Sequence, residues 1–154
     1  MATGGTCFVY KWKPRKSESC MAVKVIKLST AKSRICYDRE VEILHSMWDV
    51  GRVVKITRHW VSNINDLQVG HLALEFCKGG DLHTYVKRQG RLAEFSVSLI
   101  IQRLIKTLRA IHKRGIAHRD IKLENIFLRT NDPTDVILGD FGLAIDTTRE
   151  LPFS

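Results

Sequence analysis

The sequence predicts an α+β fold in two unequal halves, strands with one helix first and mainly helix with short strands after. Three observations predict it. Runs rich in β-branched residues fill the first half. Apolar stripes at helical spacing mark two segments. Gly79-Gly80 breaks the pattern between the halves.

The elements follow in order. Residues 6–13 and Met21–Leu28 read as antiparallel strands joined by the polar turn Pro14–Ser19, and alternation puts Ala22, Lys24 and Ile26 on one face. Tyr37, Val41, Leu44 and Trp48 recur at i, i+4, i+7 and i+11, which predicts an amphipathic helix over roughly 33–48, ended by Gly51. Val53–Val61 and Leu67–Phe76 read as two more strands around the turn-rich Ser62–Asp66. Asp81 can cap a short helix running to about Arg88. From about Phe95 to Lys113, Val97, Ile100, Ile101, Leu104, Ile105, Leu108 and Ile111 form one apolar stripe, with Gly115 as a stop. Short β-like runs follow at Ile126–Leu128 and Val136–Leu138.

Composition excludes several classes. With 44% hydrophobic and 27% charged residues among 154, the chain is neither disordered nor collagen-like. No apolar run reaches the roughly 18 residues of a membrane span, and the first residues lack a signal-peptide pattern, so none is expected. Cys7, Cys20, Cys36 and Cys77 lack metal-ligand spacing and read as free thiols in a reducing compartment. The expectation is a soluble intracellular protein, cytoplasmic or alternatively nuclear, with no membrane partner. The net charge of +9 is uneven: residues 95–119 carry six basic residues and no acid, while 120–154 carry three basic and seven acidic. That charge suggests a nucleic-acid-binding domain, but no such signature appears and nucleic acid is not the expected partner.

The stretch His118-Arg-Asp-Ile-Lys-Leu-Glu-Asn125, followed by Gly139-Asp-Phe-Gly142, resembles the catalytic loop and the start of the activation segment of the eukaryotic protein kinase family. The resemblance implies a bilobal fold, with 1–76 as a small β-rich lobe lacking its first strand. Residues 77–154 would be the hinge and start of the helical lobe, ending within the activation segment. It implies ATP and Mg²⁺ as cofactors and a protein substrate bearing a serine or threonine hydroxyl, with a regulatory protein as a further partner. Asp120 would accept or orient the hydroxyl proton, and Lys122 would stabilise the transferred phosphoryl group. Asn125 and Asp140 would be hard oxygen ligands for Mg²⁺.

Further landmarks lie outward from this stretch. Ala22-Val-Lys24 is similar to the family's third-strand lysine motif, with Glu40, favoured over Glu42, as the lysine's partner on the following helix. Leu72-Ala-Leu-Glu-Phe-Cys77 resembles the hinge, with Leu74 as gatekeeper and Glu75 and Cys77 offering backbone contacts to adenine. His118 would join Phe141, Leu44 and Ile56 in a packed column, and Arg119 resembles the arginine that pairs with an activating phosphate. Aligning the phosphate loop on Val9 leaves only Gly4 matching a glycine position, with Ala2 and Cys7 at the others. No Ala-Pro-Glu motif follows, so a second reading stands beside catalysis: a truncated, inactive kinase-like chain acting as a binding module.

Overall fold

The computed structural model describes residues 7–15 and 19–149. Four antiparallel strands open the chain: β1 (Cys7–Trp12), β2 (Met21–Lys27), β3 (Ile56–Ile64) and β4 (Leu67–Glu75), ordered β1-β2-β4-β3. The register sets Val9 against Lys24 and Lys24 against Leu72, so the central strand carries its lysine on the face shared with Leu72. β3 starts later than the sequence suggests, at Ile56. The preceding Val53 instead bridges Leu138, and the backbone N–H of Val54 donates to the Leu138 carbonyl at 2.9 Å. β3 also runs on to Ile64, because Asn65 and Asp66 close the hairpin alone with φ of 48° and 62°.

Helix α1 (Ala31–Ser46) starts from a reciprocal cap between Thr30 and Ser33. It lies on the sheet through Tyr37, Val41 and Leu44. Gly70 makes the fit possible: a Cβ there would stand 2.6 Å from the Tyr37 ring. Tyr37 also donates its hydroxyl to the carbonyls of Trp60 and His71, at 3.1 and 3.2 Å. Trp48, expected on the buried stripe, is 73% exposed. The helix ends before it, and Met47, fully buried, fills the core position instead.

The second half comprises β5 (Gly80–Asp81), α2 (Leu82–Gln89), α3 (Glu94–His112), β6 (Ile116–Ala117), a 3₁₀ turn (Leu123–Asn125), β7 (Ile126–Leu128), β8 (Val136–Leu138) and β9 (Ile145–Asp146). Asp81 caps α2 by accepting from Thr84 N–H at 2.7 Å. α3 buries Ile100 and Ile111 but leaves Ile101 and Ile105 half exposed, so only part of its apolar stripe is covered. A single core cluster runs from Leu44 and Met47 of the first half through Leu128, Ile137, Leu138 and Phe141 of the second. Among the described residues no helix is long and apolar enough to cross a membrane, and Cys7, Cys20, Cys36 and Cys77 are all free thiols.

Candidate active site

Lys24 sits on the inward face of β2, and one turn of α1 brings Glu40 beneath it. Its ammonium donates to both Glu40 oxygens, at 2.6 and 2.9 Å, and to Asp140 Oδ1 at 2.8 Å. Glu40 is buried because it borders the stripe that holds Val41 and Leu44 against the sheet. Glu42 is exposed and lies 3.6 Å from Arg149 instead. Burial disfavours the Lys24 ammonium, but the charges of Glu40 and Asp140 outweigh it and hold its pKa above the ordinary lysine value. Burial pushes the Glu40 carboxyl up, with Lys24 pulling it back. Asp140 is also desolvated, yet Lys24 holds it below the usual carboxylate range.

Asp140 has a φ of 55°, as has Arg119 at 68°. Left-handed backbone at non-glycine residues is costly and is retained where surrounding contacts fix it. Here the contacts are visible. His118, 2% exposed, donates from Nε2 to the Gly139 carbonyl at 2.9 Å, while its Nδ1 accepts from Asp120 N–H at 3.3 Å. That pairing defines the Nε2–H tautomer of a neutral imidazole, and burial lowers the His118 pKa accordingly. The Gly139 N–H donates in turn to the Asn125 carbonyl at 2.9 Å. The loop after β6 and the segment after β8 are thus stitched together immediately before Asp140.

Within the loop, Asp120 Oδ2 accepts from Lys122 Nζ at 2.7 Å and from Asn125 Nδ2 at 2.8 Å, and Asn125 also donates to the Asp120 carbonyl. The Lys122 hydrogen bond, helped by that from Asn125, holds the Asp120 carboxyl below its ordinary value. Asn125 is buried with its nitrogen committed to Asp120, which leaves its amide oxygen as the group to offer a ligand. The rings of His118 and Phe141 meet edge to face at 4.6 Å. Phe141 and Leu44 share the core, with Ile56 packed against it, so the column spans both halves.

At the hinge, Glu75 is fixed more firmly than its sequence suggests. Its N–H donates to the Lys55 carbonyl at 2.8 Å, its Oε1 accepts from Lys55 N–H at 2.9 Å, and Arg129 Nε reaches its Oε2 at 3.4 Å. Cys77 packs on the core, and burial pushes its thiol up to about 12, so it is a neutral packing group. Ala22 lies between Lys11 and Leu74 in the register. Val9 is 64% exposed on the same face as Lys24. Cys7 is half-buried close enough to feel the charges of Lys24, Asp140 and Glu40. Gly4 lies outside the described residues. Arg129 and Lys55 carry no sequence signal, because their roles depend on partners brought together only by folding.

A strand lysine bridging a helix carboxylate and a second carboxylate, beside an Asp–Lys–Asn loop, has the make-up of a phosphotransferase centre. The chain belongs to the protein kinase domain family, which it matches over residues 1–153. It is 30% identical over 132 residues to Calcium-dependent protein kinase 19 of Arabidopsis thaliana, covering 84% of this chain and 23% of that protein. To the meiosis-specific serine/threonine-protein kinase MEK1 of Saccharomyces cerevisiae it is 32% identical over 152 residues, covering 93% of this chain and 29% of that protein. To the serine/threonine-protein kinase RAD53 of the same yeast it is 31% identical over 142 residues, covering 92% of this chain and 17% of that protein. The chain therefore spans less than a third of the length of these relatives.

Proposed function

We propose that this chain carries the catalytic centre of an ATP- and Mg²⁺-dependent serine/threonine protein kinase. The observation that supports it most is the Lys24 ammonium held between Glu40 and Asp140, with Asp140 in turn within the electrostatic reach of Asp120 and Lys122. A lysine so fixed presents a permanent cation to a triphosphate without the cost of ordering it on binding. The donor set suits a hard divalent cation: an ionised Asp140 and the free amide oxygen of Asn125 are hard oxygen ligands. Mg²⁺, when bound, neutralises phosphate charge there.

The remaining work belongs to the chain's own groups. Asp120, kept ionised by Lys122 and Asn125, is positioned to accept a hydrogen bond from a substrate hydroxyl and take its proton as the oxygen attacks. Lys122 is exposed and faces the developing negative charge on the transferred group. The hinge strand, braced by Glu75 and Arg129, supplies the backbone edge for adenine.

Transfer of labelled phosphate from ATP to a serine- and threonine-containing protein tests the reading. Asp120→Asn is expected to reduce transfer by roughly 10²–10⁴-fold, the usual contribution of a positioned base, while nucleotide binding persists. Nucleotide binding without any transfer by the unmodified chain contradicts catalysis and leaves the binding-module reading.

A further inference from the structure

The face of the sheet turned away from α1 carries a feature that phosphoryl transfer does not use. Alternation on β1 places Phe8, Tyr10 and Trp12 there, since Val9 faces the Lys24 side. The register then runs Tyr10, Val23, Ala73, Arg58 across the strands, and a bulge between Ile56 and Arg58 turns Arg58 to this face. Val23 and Ala73, each 1% exposed, form the floor. Tyr10, Trp12, Trp60 and Arg58 line an open cleft of 530 Å³ above it, a size typical of recognition sites.

The walls are fixed and yet exposed. Trp60 stacks on His71 with ring centroids 4.7 Å apart and planes within 2°, and the His71 Nε2 is held at 2.8 Å from Ser62 Oγ. Tyr10 and Trp12 are 46% and 40% exposed. Clustered aromatic exposure of this kind marks interaction surfaces. Arg58 stands in the cleft and makes no ion pair with any described residue. The register adds the exposed Lys27 to this face, whereas Glu75 is engaged by Arg129 and Asp66 lies away at the hairpin turn. The surface is apolar and aromatic in its centre and cationic in character, so its partner carries the opposite charge.

We propose that this cleft docks an acidic, proline-containing peptide segment of a protein partner. The proline ridge of a polyproline II strand fits between Tyr10, Trp12 and Trp60, as aromatic-lined grooves receive such segments, and an Asp or Glu beside it pairs with Arg58. A single-stranded nucleic acid fits less well. Following a phosphate backbone takes a track of cations, and among the described residues the strand register puts only Arg58 and Lys27 on this face. The proposal is independent of catalysis.

Fluorescence anisotropy with a labelled peptide repeating Glu-Pro-Pro tests it, with a Lys-Pro-Pro repeat and oligo(U) as competitors. The wild-type chain is expected to prefer the Glu-Pro-Pro peptide over both. Arg58→Glu, at an exposed site, is expected to keep its melting temperature, weaken that peptide at least about tenfold and bind the Lys-Pro-Pro peptide instead, since a tenfold change is the loss of one modest ion pair. Trp12→Ala is expected to remove binding of either peptide. Equal affinity for the two peptides in the wild type, unchanged affinity in Arg58→Glu, or tighter binding of oligo(U) than of the acidic peptide each overturns the proposal.

Discussion

Lys24 has two counter-charges, and the consequences of removing it differ from those of removing either partner. Lys24→Met leaves Glu40 buried beside Asp140 with no cation, and breaking a buried pair this way costs about 3–5 kcal/mol. The carboxyl of Glu40, already raised by burial, then loses what pulled it back. The folded state binds a proton more readily than the unfolded one, so the variant is expected to gain stability as pH falls from neutral towards the ordinary glutamate range. Thermal melts across that range check the sign. Glu40→Gln should be milder, because Asp140 remains on Lys24 at 2.8 Å.

His118 acts in the opposite direction. Burial lowers its pKa, so below about pH 6.5 the unfolded chain takes up a proton that the folded chain resists. Its contribution to stability is present above that pH and lost below it. The drop in melting temperature between neutral and mildly acidic pH is expected to be smaller in His118→Phe than in the wild type. An equal drop in both contradicts the assignment. These residues were legible because the motif joins fixed spacings to a defined chemistry. Asn125 donating to Asp120, and Asp120 N–H donating back to His118, were not, since spacing says nothing of which way a side chain turns.

At the scale of elements, periodicity found the main strands and helices but misplaced both ends of β3 and the end of α1. Trp48 completes the heptad-like spacing of α1, yet the helix stops at Ser46 and the chain turns, so Met47 drops into the core. Tertiary packing, not the pattern, decided which side chain was buried. Met47→Ala is therefore expected to cost about 2–5 kcal/mol, and Trp48→Ser to stay within about 0.5 kcal/mol of wild type, as read by denaturant melts. The bulge in β3 was equally hidden: nothing in Ile56-Thr-Arg58 announces it, and it moves Arg58 to the outer face.

For the whole molecule, the plan of two unequal halves was readable from the order of strands and helices, and the pins between the halves were not. Arg52 donates to Asp135 and the Val136 carbonyl, Arg129 to Glu75 and the Gly51 carbonyl, and Arg114 to Asp49 at 2.6 Å. Each joins residues more than 50 positions apart, a distance over which no local pattern operates. Arg129 touches both the hinge glutamate and the loop at Gly51. Arg129→Ala is expected to weaken nucleotide affinity by about tenfold or less, the size of one partly exposed charged hydrogen bond, with the change appearing in binding titrations rather than in transfer at saturating ATP.

The proposed seat for Mg·ATP is formed by Lys24, Glu40, Asp140 and Asn125. The direct measurement is the melting temperature of the chain with and without saturating Mg·ATP, repeated for Asp140→Asn. A ligand that binds only the folded state raises stability by about 2.7 kcal/mol at a hundred times its dissociation constant. A clear upward shift in the wild type, dependent on Mg²⁺ and largely lost in Asp140→Asn, is the predicted result; no shift in the wild type at saturating nucleotide, or the same shift in both proteins, contradicts it.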